Sequence, residues 1–242
     1  MCTLSYQTER HSDDEYRWVL FNRDELRTRP KALPPRSFSG AHGNYLMPVD
    51  PQGGGSWMGL HDAGFFVCLL NYYPNDEIIL GPSFRSRGLL IRDILEAGVF
   101  PDGGYLDSRM KDAQYAPFYL AAFTGGETRM WSWDRNSLES LDTSPCILSS
   151  SGYQHTRISA VRRDLFARRR DAGKAESLDD LREFHRLEDP ENGSDGILMT
   201  RSDAMTVSIS EIGLGGQIGI IRYYERDDPD RPRESTIRFA GA

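Results

Sequence analysis

The run Phe65 to Tyr73 (FFVCLLNYY) sets the strongest limit on the fold. It is rich in β-forming residues and hardly alternates between apolar and polar side chains. A strand with one wet face alternates with a period of two, so this one is expected to be buried on both sides. It therefore needs a packed layer above and another below. Strand-like segments fill the first half of the chain, two helical segments follow, and strands return in the last third. Without regular strand–helix alternation, that order suggests an α+β fold with mostly antiparallel sheets. Two sheets face to face, with helices outside, would cover such a strand.

The individual elements follow from periodicity and punctuation. Thr3 to Thr8 and Tyr16 to Phe21 read as a hairpin around a polar turn at His11 to Glu15. Thr28 to Gln52 is rich in proline and glycine and reads as a long loop. Trp57 to His61 and Phe65 to Tyr73 form a second hairpin around Asp62-Ala63-Gly64. Ser86 to Ala97 has apolar residues at helical spacing and ends at Gly98, a C-cap. Tyr115 to Phe123, Thr128 to Asp134 and Cys146 to Ser150 read as strands. Thr156 to Ala172 reads as a helix with Val161, Leu165 and Phe166 on one face. Ser177 caps a second helix to Leu187, with Asp179 and Asp180 in its first turn. Ile197 to Ile212, Gln217 to Tyr224 and Ser235 to Phe239 are strands, and Asp227 to Arg233 is a proline-rich turn.

Composition narrows the function classes. The 242 residues suit one domain over 1–242, and the formal net charge of −7 argues against a general nucleic-acid binder. The three cysteines, Cys2, Cys68 and Cys146, are too far apart for a CxxC metal pattern and give no disulfide framework. The five histidines are scattered and form no HxH or HExxH pattern, so no metal site is expected. No segment has the apolar length of a membrane span, and the polar start lacks a signal core. A cytoplasmic protein is the expectation. Gly53-Gly54-Gly55 is followed by no GKS or GKT, so it is not a phosphate loop. Arg168-Arg169-Arg170 reads as a solvated helix end, where cations suit the macrodipole.

Cys2 and the Asn22-Arg23-Asp24-Glu25 segment carry the chemistry. Removal of Met1 would leave a thiol and a free α-amine on one residue, supplying nucleophile and proton acceptor together. An antiparallel hairpin would set the start of its first strand against the end of its second, and so Cys2 against Arg23 and Asp24. An arginine and a carboxylate there would lower the thiol pKa and orient the amine.

The start MCT, the FNRDE segment followed by Arg29-Pro30, GGGSWMGL running into LLNYY, and Ser86-Arg87-Gly88 together resemble the NRDE family, also called the transport and Golgi organisation protein two family. That family is similar in turn to N-terminal nucleophile (Ntn) hydrolases of the bile-salt hydrolase and penicillin V acylase branch. The resemblance implies a four-layer αββα sandwich. It implies Cys2 as nucleophile and Asn71 as oxyanion donor, with Arg201 as the late arginine near the thiol. Either Asp24 matches the carboxylate that holds the amine or Arg23 matches an arginine earlier in the same motif; both alignments cannot hold together. Asn22, Glu25, Trp57, Tyr72 and Arg87 are implied as ligand contacts. Where the family commonly shows Leu-Ser-Asn, this chain has Leu148-Ser149-Ser150.

Two functions are implied. One is binding or trafficking of a small hydrophobic or amphipathic ligand, haem or an acyl-CoA or lipid, in a cleft next to Cys2. Haem would then be cargo, and Cys2, Tyr72, Tyr73 and the five histidines are axial candidates, none singled out by spacing. The other is hydrolysis of a linear amide or thioester by Cys2, which needs no cofactor.

Overall fold

The structure, a computed structural model, describes residues 2–11, 14–79, 81, 83–144 and 146–240, leaving aside the side chains of Arg10, His11 and Asp14. Met1 and the tip of the first predicted turn lie outside the described residues.

Two antiparallel sheets stack face to face. The first has six strands in the order β10-β1-β2-β11-β12-β13. These are Ile147–Ser150 (β10), Cys2–His11 (β1), Asp14–Leu26 (β2), Ala204–Gly215 (β11), Ile218–Glu225 (β12) and Asp228–Arg238 (β13). The second has seven strands in sequence order. They are Leu33–Gly40 (β3), Gly43–Val49 (β4), Met58–His61 (β5), Phe65–Asn71 (β6), Phe118–Phe123 (β7), Thr128–Trp133 (β8) and Leu138–Ser140 (β9).

Three apolar layers hold the stack. Leu4, Val19, Phe21, Leu60, Phe66, Cys68 and Leu70 meet between the sheets. Arg87–Ala97 (α1) and Gly103–Asp112 (α2) cover the seven-stranded sheet, where Leu90, Ile94 and Leu106 pack on Val67, Leu69 and Leu120. His155–Asp171 (α3) and Leu178–His185 (α4) cover the other sheet, where Phe166, Leu181 and Phe184 pack on Trp18 and Leu20. The fold is the expected αββα sandwich. The even and odd positions of β6 enter different cores, which is why its sequence does not alternate. Each such Leu or Phe contributes roughly 1.5–3 kcal/mol by leaving water.

Several elements differ from the sequence reading. The predicted loop Thr28 to Gln52 contains the hairpin β3–β4, and the predicted turn Asp227 to Arg233 lies largely within β13. The strands with two prolines each, β3 and β13, are sheet edges, where a residue without an N–H costs no ladder bond, and Pro48 of β4 lies beyond the Tyr45 and Leu46 pairs with β5. Helix α2 was not legible; its glycine-rich start is capped by Asp102, whose side chain accepts from Tyr105 N–H. In α3 the buried stripe is Ile158, Arg162 and Phe166, with Val161 only half-buried. The Gly98 cap is as expected: its φ is 62°, and a Cβ would stand 2.8 Å from the His42 carbonyl oxygen.

Candidate functional site

Strand pairing brings the two ends of the first hairpin together. Cys2 stands opposite Arg23 on β2 and opposite Ser150 on β10. The Cys2 backbone nitrogen donates to Ser150 Oγ at 3.2 Å, and both residues are buried. Cys2 closes one end of a cavity of about 280 Å³ that also meets Arg23, Asp24, Glu25, Trp57, Asn71 and Arg87. Seven of the ten expected site residues thus share one cleft.

Local geometry explains each placement. Along β2, Val19 and Phe21 enter the core between the sheets, while Trp18 and Leu20 face the helices. Arg23 continues the first series and lies over the Trp57 ring at 4.3 Å. Its Nη2 donates to Glu25 at 3.1 Å, Arg29 stands 3.4 Å from the same carboxylate, and Arg29 also pairs with Asp50. Alternating charges therefore form one wall. Asp24 turns the other way, opposite a bulge in β11 between Thr206 and Ser208. Thr206 Oγ1 donates to its Oδ1 at 2.6 Å. The glycine run serves packing: a Cβ on Gly55 would stand 2.3 Å from the Gly88 carbonyl carbon. Ser56 N–H donates to the Gly88 carbonyl, and this seam sets Ser86, Arg87 and Gly88 against the cavity.

The electrostatics differ from expectation at the thiol. Burial pushes the Cys2 pKa up, and the Asp24 charge adds to this. The Asp24 backbone N–H and the Arg23 charge pull it down without prevailing. The resting thiol is neutral at neutral pH. Burial lifts Cys68 much further, because that side chain is wholly enclosed. Burial also pulls Arg87 below the usual arginine range, yet a guanidinium stays charged in protein. Among the described residues no carboxylate pairs with Arg87; its Nη1 donates to the Pro117 carbonyl at 2.8 Å.

Three expected site residues lie elsewhere. Asn22 faces the helix layer, where its Nδ2 donates to the His185 and Ile197 carbonyls, both at 2.9 Å. Its Oδ1 lies 2.7 Å from His185 Nδ1, and His185 Nε2 lies 2.8 Å from Ser5 Oγ. That serine–histidine–asparagine series has the spacing of a hydrolytic triad but is fully buried and borders none of the described cavities. It ties α4 to the sheet. Tyr72 lines a second cavity, because the chain bends after Asn71. Arg201 pairs with Asp203 and stacks on Tyr153 at 5.3 Å, in an outer groove beyond β11.

The arginine that reaches the site comes instead from α3. Arg162 is 1 % exposed, and its Nη1 lies 3.6 Å from Asp24 Oδ2. It donates to Thr3 Oγ1 at 2.9 Å and to the Gly196 carbonyl at 2.8 Å. The signal in the sequence was an arginine on the apolar stripe between Ile158 and Phe166, where a solvated residue would not be placed.

Two stacked antiparallel sheets, helices on both outer faces, and a cysteine at the edge of the inter-sheet cleft define the Ntn-hydrolase fold. The comparisons with solved structures agree. A mutant of conjugated bile acid hydrolase from Clostridium perfringens superposes with a TM-score of 0.54 at 10% identity, covering 99% of this chain and 97% of that one. A variant of the same enzyme gives 0.57 at 10% identity, with 98% and 92% covered. The N-acylethanolamine-hydrolyzing acid amidase ortholog of Caenorhabditis elegans gives 0.54 at 12% identity, with 99% and 100% covered. At these identities the likeness is one of fold. No curated protein matches the chain. The chain belongs to the Transport and Golgi organisation 2 family, whose model matches residues 1–212.

Proposed function

We propose that this protein is a cysteine hydrolase of the N-terminal nucleophile type, cleaving the amide or thioester bond of a small anionic acyl compound. One observation carries the reading: the Cys2 backbone nitrogen is held by the buried Ser150 hydroxyl while its side chain borders a charged cavity. With Met1 removed, that nitrogen becomes an α-amine already fixed beside the thiol.

The chemistry follows from these groups. As the sulfur attacks the carbonyl carbon, its proton passes to the α-amine. The Asn71 amide carries two N–H donors; one is directed to the Tyr73 hydroxyl, and the other serves the developing oxyanion. Collapse breaks the carbon–nitrogen or carbon–sulfur bond, and the leaving group takes the proton from the ammonium. Water then attacks the acyl-cysteine, gives a proton to the amine, and releases the acid and the thiol. Asp24, held by Arg162 and Thr206, fixes the strand end against Cys2. Arg87, with which no described carboxylate forms an ion pair, binds the anionic group of the substrate.

The same cavity supports a second reading. While Met1 remains, the Cys2 nitrogen is an amide and accepts no proton, so the cleft binds its ligand without turning it over. A carrier of haem or of an acyl-CoA would use the cavity in this way. Its size of about 280 Å³ and its wall of arginines and carboxylates favour a small anion over a porphyrin.

Incubation with a panel of N-acyl amino acids and acyl thioesters tests the choice. Release of acid that is lost in Cys2→Ala supports hydrolysis. Stoichiometric binding without release, whether Met1 is retained or removed, supports the carrier.

A further inference from the structure

Four arginines and three carboxylates line the Cys2 cavity, and every one of these charges except that of Arg87 has an ion-pair partner among the described residues. Asp24 is matched from behind by Arg162 at 3.6 Å. Arg85 is gripped by Asp93 of α1, at 2.6 Å and 3.0 Å. Arg23 and Arg29 share Glu25, and Arg29 also meets both oxygens of Asp50, Nη2 to Oδ2 at 2.5 Å and Nε to Oδ1 at 3.3 Å. The hydrolytic steps above make no use of Arg29 or Asp50. Yet the chain is shaped to hold this carboxylate. Asp50 follows β4 directly; its N–H donates to the Gly55 carbonyl at 2.9 Å and its carbonyl accepts from Gly54 N–H at 2.8 Å. Gln52 N–H donates to its Oδ1 at 3.2 Å, and a Cβ on Gly53 would stand 2.8 Å from its Oδ2. The glycine run, which is not a phosphate loop, thus wraps Asp50. Burial raises the Asp50 pKa, but the Arg29 hydrogen bond and charge outweigh this and hold the carboxyl below the usual range.

With the pairs closed, the wall is left with one positive charge in excess. A ligand carrying one anionic group restores neutrality at Arg87. A second anionic group finds no free cation and faces Glu25 and Asp50, where like charges in a partly dry cleft repel strongly. We propose that the cleft selects ligands with a single negative charge, and that Asp50, by neutralising Arg29, is the residue that excludes a second one. The class is a monocarboxylate whose remainder is uncharged; dicarboxylates and phosphomonoesters are rejected. Selectivity here comes from a repulsive element as much as from the attractive one. The inference rests on the reading that Arg87 binds an anionic group beside Cys2. The α-amine of a processed Cys2 leaves the balance as it is while neutral, the form in which it takes the thiol proton.

Calorimetric titration of the full chain, with Cys2→Ala to prevent turnover, tests this with succinamate and succinate, which are nearly equal in size and differ by one charge. At about pH 8.5 an α-amine is mostly neutral. Succinamate is expected to bind about tenfold tighter or more. Asp50→Asn keeps the shape of the side chain and releases Arg29, and there the preference should fall to about twofold or reverse. Glu25→Gln takes a charge from the same pairs and should act alike, so it decides the matter if Asp50→Asn does not fold. Glu96→Gln removes one charge from an exposed pair with Arg92 on α1 and should leave the preference at its starting value. Equal affinities for the two probes, a preference unchanged in folded Asp50→Asn, or the same fall in Glu96→Gln would overturn the role of Asp50 while leaving the anionic cleft intact. Failure of both probes to bind at millimolar concentration would overturn the anionic cleft and this inference with it.

Discussion

Arg162 and Asp24 form an ion pair at 3.6 Å, sealed from solvent behind the Cys2 cavity. The pair links helix α3 to the last turn-ward residues of β2, and the neighbouring Asp24 backbone N–H is among the groups that lower the Cys2 pKa. The site's geometry is therefore braced from behind by Arg162, which lies outside the cavity lining.

Breaking this pair should be costly. Arg162→Met leaves the Asp24 charge buried without its guanidinium, and a loss of about 3–5 kcal/mol is expected. The double variant with Asp24→Asn should lose less than the sum of the two single changes, because the buried charge is gone. Urea midpoints of the four proteins measure both quantities. Arg162→Lys should rescue little, since one ammonium does not reproduce the fork that reaches Thr3 and Gly196.

Much of this was legible in the chain, for physical reasons that differ by residue. The continuous apolar run of β6 announced burial on both faces, and the hairpin register from Cys2 to Arg23 followed from antiparallel pairing. Hairpin β3–β4 was hidden because its prolines signal loops, and only sheet topology reveals an edge strand. Arg201 and Arg162 were not separable by motif. Their roles depend on which face of a layer each element presents, and a short motif before a strand does not specify that. Asn22 is adjacent to Arg23, yet alternation along β2 sends it to the opposite layer.

Thiol reactivity should rank by enclosure. At pH 7 iodoacetamide should modify Cys2 at least tenfold faster than Cys68, whose side chain is wholly buried and whose pKa is lifted further. Because burial raises Cys2 as well, its rate should still climb as pH rises past the ordinary thiol range. Peptide mapping over a pH series reads both. A plateau for Cys2 below pH 7 would show a preformed thiolate and contradict the raised pKa.

His185 predicts an acid sensitivity unrelated to chemistry at the cleft. Burial pulls its pKa from 6.5 down to about 3. Above pH 6.5 folded and unfolded chains both hold it neutral, so its stabilisation is complete. Between 6.5 and about 3 the unfolded chain takes up a proton that the folded chain refuses, so stability falls with pH, and this contribution flattens below about 3. The total is on the order of 5 kcal/mol. In His185→Gln the slope over that interval should shrink, as read from urea midpoints at successive pH values. An unchanged slope would show that His185 titrates alike in both states.

Ser150 should act on rate more than on affinity. Ser150→Ala removes the acceptor for the Cys2 nitrogen, and turnover per folded molecule is expected to fall about tenfold with KM nearly constant. Arg87→Gln should do the reverse, raising KM for the anionic substrate while changing kcat less, with an effect that weakens at high salt. Steady-state kinetics on the two variants separates these roles.

The most direct measurement is the intact mass of the purified protein, taken before and seconds after mixing with an acyl donor that it hydrolyses. The expected result is a chain lacking Met1 that gains the mass of one acyl group on Cys2 and then loses it, with no adduct in Cys2→Ala. Quantitative retention of Met1 in protein that turns the donor over, or an acyl group carried on any other residue, would contradict Cys2 as the N-terminal nucleophile.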